Sequence, residues 1–169
     1  IAAPEGHTGK SVVALGILDL LTRRVRRVGV FRPISRSTTG DDQLVQLLLA
    51  HDGVDVPYDA SVGVTYDEVH TDPDAALATI VERYREVQRD CEAVVIVGSD
   101  YTDVAGPTEL AFNARIAANL GAPVLLVVRA LRRDPEDVAH LVDVAIAELE
   151  QAHATTVGVV ANRCAPDAL

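Results

Sequence analysis

Short apolar runs, each nearly continuous in Val, Ile, Leu and Ala, recur along this chain, separated by longer stretches with helical spacing. The runs are Val28–Phe31, Ala93–Val97, Pro123–Val128 and Thr156–Ala161. Unbroken apolar runs of this length predict strands covered on both faces, as in parallel sheets. The helical stretches are Lys10–Thr22, Asp41–Ala50, Asp72–Asp90, Pro107–Leu120 and Pro135–Ala152. Asp72-Pro73 supplies an N-cap followed by proline at the first helical position, and Gly121 is a stop signal after Leu120. Ile1-Ala2-Ala3 reads as the end of another strand, and Ser61–Thr65 as a short extra one. The alternation predicts an α/β fold: a mostly parallel sheet with helices on both faces.

Composition narrows the function classes. A chain of 169 residues with 49% hydrophobic content is long enough for one domain with a sizeable core. Aromatics are only 4%, so that core is aliphatic. A net charge of −10 repels nucleic acid and anionic membranes, so neither is an expected partner. The one basic cluster, Arg23, Arg24, Arg26 and Arg27, reads as the solvated end of a helix. No apolar run reaches membrane-spanning length and no signal peptide is visible. Cys91 and Cys164 form no metal-binding pair, and His51, His70, His140 and His153 show no ligand spacing. Free thiols in a cytoplasmic setting are the expectation. The chain contains no methionine and both its ends read as cut. The expectation is therefore a single domain over residues 1–169, taken from a longer protein.

Lys10 is the only lysine among 15 basic residues. It ends the stretch Pro4-Glu5-Gly6-His7-Thr8-Gly9-Lys10-Ser11, between an expected strand and an expected amphipathic helix. That is the setting of a phosphate-binding loop. Backbone N–H groups around Gly6 and Gly9 cradle phosphates, the compact ammonium reaches the β/γ oxygens, and Ser11 is placed to hold Mg²⁺. Arginine, a planar fork, would not replace a point charge there. The loop departs from GxxxxGK[ST], with Pro4 where the first glycine belongs. Glu5 puts a carboxylate beside the phosphate path, where it repels a triphosphate unless magnesium intervenes.

Three further positions qualify. Arg32 lies at the carboxyl end of the second strand, where sheets of this class bind ligands, although a solvent-facing arginine before a turn looks the same in sequence. Asp100 follows Val97-Gly98-Ser99 and is either a displaced Mg²⁺ ligand or a turn residue. Asn162 ends the last strand, where a carboxamide offers a donor and an acceptor together to a purine edge, or simply forms a turn.

Taken together, Gly9-Lys10-Ser11, Arg32-Pro33, Val97-Gly98 and Asn162 resemble the dethiobiotin-synthetase-like branch of the P-loop NTPases. A closer resemblance is to the N-terminal domain of long-form, especially actinobacterial, phosphate acetyltransferases. It is carried by Val28-Gly29-Val30-Phe31-Arg32-Pro33-Ile34, by residues 97–103 and by residues 113–124. This second resemblance implies a regulatory and assembly module. Its partners would be the C-terminal domains of the same protein, within a homo-oligomer. Lys10 and Ser11 on the strand–loop–helix add the expectation of a small phosphate-bearing effector, ATP or another nucleotide. Acetyl transfer between acetyl-CoA and phosphate would belong to a separate domain. Val97 stands where the family usually has an acidic residue, which weighs against Mg²⁺ and ATP hydrolysis. The alternative implied by the broader resemblance is an ATP-dependent carboxylate ligase of the dethiobiotin synthetase type.

Overall fold

A computed structural model describes residues 1–40, 42–99 and 109–165. They fall into two compact units, one made of residues 1–10 with 109–165 and the other of residues 11–99. Each unit holds its own parallel strands with flanking helices, the α/β architecture the sequence pattern predicts.

In the unit of residues 11–99, β1 (Val28–Ser35) is central, with β2 (Val62–Thr65) and β3 (Ala93–Ile96) parallel to it on either side. All eight residues of β1 are buried, as its unbroken apolar composition demands. The strand runs four residues beyond the expected Phe31, straight through a proline. Two ladders explain this. Val28 to Phe31 pair with β3, and Arg32, Ile34 and Ser35 pair with β2. Pro33, with no N–H to donate, falls where neither ladder needs one. The close approach of β2 depends on Gly63, because a Cβ there would collide with the Pro33 carbonyl oxygen.

The helices of this unit are α1 (Lys10–Thr22), which begins on the last residue of the other unit, α2 (Gln43–Leu49), α3 (Tyr66–Thr71) and α4 (Pro73–Asp90). Helix α4 buries Ala76, Ile80, Tyr84 and Val87, and Tyr84 meets Phe31 of β1 edge-on at 5.5 Å. Asp72 caps α4, accepting from the N–H groups of Asp74 and Ala75, and Pro73 opens it as expected. Helix α3 was not expected. It is started by a capping box in which Thr65 and Glu68 satisfy each other's backbone N–H groups, a signature the sequence does carry. Helix α1 is less amphipathic than expected. Ala14 and Leu18 are buried, but Val12 and Leu20 face water. Arg23, Arg24, Arg26 and Arg27 after it are exposed, and Arg23 pairs with Asp19 one turn back.

In the other unit, β4 (Val124–Arg129) and β5 (Thr156–Asn162) run parallel, and Ala2 bridges to the opposite side of β4. Ala2 donates to the Leu125 carbonyl at 3.0 Å and accepts from the Val127 N–H at 2.8 Å. Helices α5 (Glu109–Leu120) and α6 (Pro135–Gln151) contribute Leu110, Ala114, Ala145 and Leu149 to a core shared with Val124, Leu126 and Val128. Strand β5 corrects one expectation. It is not covered on both faces: Val157 and Val159 are 62% and 40% exposed, alternating with half-buried neighbours. Composition alone does not separate a half-covered Val-rich strand from a fully covered one. Both cysteines are free thiols, and no helix among the described residues is long and apolar enough to cross a membrane.

Candidate functional site

The strongest site is built at the carboxyl ends of β4 and β5 by the segment from Pro4 to Lys10. Two residues of that segment take the left-handed backbone region, His7 (φ 59°) and Gly9 (φ 84°). Left-handed residues within a loop turn successive N–H groups towards one side, the usual way backbone makes an anion cradle. His7 bears the cost of a side chain in that conformation, whereas Gly9 has none to bear. Lys10 follows as the first residue of α1 and is 2% exposed. A buried ammonium is costly unless its surroundings offer electron-rich atoms, which is what a phosphate-binding lysine needs. Ser11 is half-buried at the same helix start.

The loop is pinned from β5. Asn162 Nδ2 donates to the Thr8 carbonyl oxygen at 2.8 Å, and its Oδ1 accepts from the Arg163 N–H at 2.9 Å. The structure thus brings Asn162 to the glycine-lysine loop, and one of its tasks is to hold that loop in place. Gly9 packs so tightly beneath this amide that a Cβ would collide with Asn162 Nδ2.

Glu5 does not stand alone in the phosphate path. Both of its carboxylate oxygens accept from the guanidinium of Arg133, one at 2.8 Å from Nη2 and the other from Nη1. Arg133 also donates from Nη1 to the Arg129 carbonyl at 2.9 Å. The Arg133 hydrogen bonds outweigh burial and, with the charge of Arg129 added, hold the Glu5 carboxyl below its ordinary range. The counter-charge at Glu5 is an arginine of the chain itself, which the sequence reading, naming only magnesium, did not foresee. Sequence reasoning missed Arg133, 128 residues away from Glu5. It also missed Arg129, although that residue ends β4 as a basic residue at a strand's carboxyl end, the same signal that marked Arg32.

Arg32 belongs to the unit of residues 11–99 and is not the solvent-facing residue that its sequence position also allowed. It is 7% exposed. Its Nε donates to Asp42 Oδ2 at 2.8 Å and its Nη1 to the Gly98 carbonyl at 3.1 Å. Asp42 in turn caps α2, accepting from the N–H groups of Leu44 and Val45, and takes a hydrogen bond from the Ser35 hydroxyl. Burial pushes the Asp42 carboxyl up, but Arg32 and these hydrogen bonds together hold it below its ordinary value. Val97 is buried and continues the β3 edge, donating to the Phe31 carbonyl at 2.9 Å. Asp100 lies outside the described residues. Among those described, no group of three or more His, Cys, Asp or Glu side chains is arranged to hold a metal.

A loop with two left-handed residues, a buried lysine and a carboxylate already paired with arginine has the features a phosphate needs. For Mg²⁺ the described residues offer the Ser11 hydroxyl but no cluster of carboxylates.

Residues 1–168 match the family model described as an AAA domain. The chain is 31% identical over 170 residues to a phosphate acetyltransferase of Nitratidesulfovibrio vulgaris, covering 96% of this chain and 24% of that protein. It is 30% identical over 174 residues to a phosphate acetyltransferase of Synechocystis sp., covering 99% of this chain and 25% of the relative. The chain thus spans about a quarter of the length of these two curated relatives.

Proposed function

The chain belongs to the AAA domain family, a P-loop NTPase-like group, and from that premise we propose that it is a phosphate-ligand-sensing domain of a phosphate acetyltransferase. It takes a nucleotide or related polyphosphate at the Gly6–Ser11 loop and conveys occupancy to acetyltransferase machinery elsewhere in the same protein. Acetyl transfer is not its own task, since relatives named for that activity are about four times as long. The observation that carries this reading is the buried Lys10 on a loop that Asn162 holds in shape. ATP hydrolysis is not part of it, because Val97 occupies the strand end where an acidic metal ligand would serve. Nor is carboxylate ligation: Arg32, the cation on β1, is committed to Asp42 and Gly98.

Calorimetric titration with ATP, ADP and NADH at up to millimolar concentration tests the proposal. At least one should bind, and Lys10→Ala should weaken it by about tenfold to a hundredfold, the loss of one charge-assisted contact. Unchanged affinity in Lys10→Ala, or no binding by the wild-type chain, would end it.

A further inference from the structure

We propose that Arg133, with Arg129 beside it, is a second phosphate-recognition element of this loop, and that Glu5 is an internal stand-in for the phosphoryl group it takes. The inference rests on the reading of the loop as a phosphate site and deepens it by naming the ligand class. That class is a polyphosphate of at least two phosphoryl groups, one met by Lys10 and the next by Arg133.

Four observations carry it. First, the Glu5–Arg133 contact is two-pronged, each carboxylate oxygen on its own guanidinium nitrogen. A carboxylate and a phosphoryl group present the same pair of acceptor oxygens to that fork, so one can replace the other without moving the arginine. Second, the fork is built in place. Arg129 closes β4, Arg132 turns the chain with φ 58°, and the Arg133 N–H donates to the Ala130 carbonyl at 3.2 Å. The Ala130 N–H donates to the Asn162 carbonyl at 2.8 Å, so one residue of β5 fixes both this turn and the loop that bears Lys10. Third, Glu5 faces two guanidinium groups, Arg133 in contact and Arg129 through its charge, while the Asp137 carboxylate also acts on Arg133 through its charge. Arg129 Nε is buried and, among the described residues, has no hydrogen-bond partner, and a buried donor without an acceptor is costly. A phosphoryl oxygen is such an acceptor. Fourth, the pair is within reach of solutes, with about a quarter of each side chain exposed.

Glu5 then acts by competition. It keeps Arg133 aligned, and an entering polyphosphate must displace its single negative charge. A polyphosphate carries more charge and more acceptors than a carboxylate, so the exchange favours it over orthophosphate.

Calorimetry with tripolyphosphate and orthophosphate on the wild-type chain and on Glu5→Gln, Arg133→Ala and Lys10→Ala separates the possibilities. Glu5→Gln should bind tripolyphosphate about tenfold tighter and Arg133→Ala about tenfold weaker, with orthophosphate nearly indifferent to both. If Lys10→Ala abolishes binding while the other two variants match wild type, the Arg133 element is overturned and the loop reading stands. If neither the wild-type chain nor any variant binds tripolyphosphate, both fall. Should Glu5→Gln or Arg133→Ala fail to fold by circular dichroism, ¹⁵N spectra of the wild-type arginine side chains take their place. A displaced Arg133 Nε–H resonance on adding tripolyphosphate supports the proposal. An unmoved one, with loop amides shifting, refutes it.

Discussion

Replacing Asp42 with alanine is expected to destabilise the chain by about 3–5 kcal/mol, the usual result of stripping one partner from a buried ion pair. Arg32 and Asp42 side chains are each 9% exposed, and the carboxylate receives Nε of Arg32, the Ser35 hydroxyl and two N–H groups of α2. Alanine would leave a guanidinium in the interior and an uncapped helix. In thermal unfolding, the melting temperature should fall by on the order of 10 °C. Asp42→Asn keeps the capping oxygen and loses only the charge, so it should cost less. Combining it with Arg32→Met should recover part of the loss, since neither partner is then left charged. A loss below about 1 kcal/mol for Asp42→Ala would show that the pair matters little to the fold, and would return Arg32 to the pool of ligand residues. The pair also sets acid sensitivity. The Asp42 carboxyl lies below its ordinary value in the folded chain, so the unfolded chain binds the proton first. Its stabilisation is full above about pH 4 and is lost as pH falls below that through the folded value. Glu5, shifted in the same direction, adds to the same decline.

The second large effect is expected at Gly9. At φ 84° an L-residue is strained, and the added Cβ of Gly9→Ala would drive into Asn162 Nδ2. The amide can swing away only by giving up its bond to the Thr8 carbonyl. Strain and the lost bond together amount to about 2–3 kcal/mol, and phosphate binding should vanish because the loop loses its shape. Asn162→Gly in the Gly9→Ala background removes the collision while keeping the strain. It should restore part of the stability and none of the binding. Full binding by Gly9→Ala alone would show that the loop's left-handed geometry is dispensable.

Much of this fold could be read from residue order. The α1 boundaries match the expected Lys10–Thr22, and β2 falls inside the expected Ser61–Thr65. Caps and stops such as Asp72-Pro73 and Gly121 act over three or four residues, so the sequence displays them directly. Helix α3 was legible in Thr65 and Glu68 and went unread. What the sequence could not display depends on partners far along the chain. Whether Val157 faces a neighbour or water is not written in valine. That Glu5 meets a guanidinium 128 residues later follows only once β4 and the Pro4–Lys10 segment are neighbours. For the candidate site, Lys10, Gly9 and Asn162 stood out through local type and position. Arg133 gave no local signal at all.

The bond from Asn162 to Thr8 joins residues 154 apart, and it has a consequence for the order of synthesis. The glycine-lysine loop leaves the ribosome well before the residue that fastens it. Contacts of such separation form late, after the loop-closure entropy has been met by the strands between. Nascent chains stalled before residue 162 would therefore carry Lys10 and the whole loop yet fail to retain a polyphosphate. Competence would arrive in one step as β5 emerges, which guards against capture of ligand before the loop is fastened.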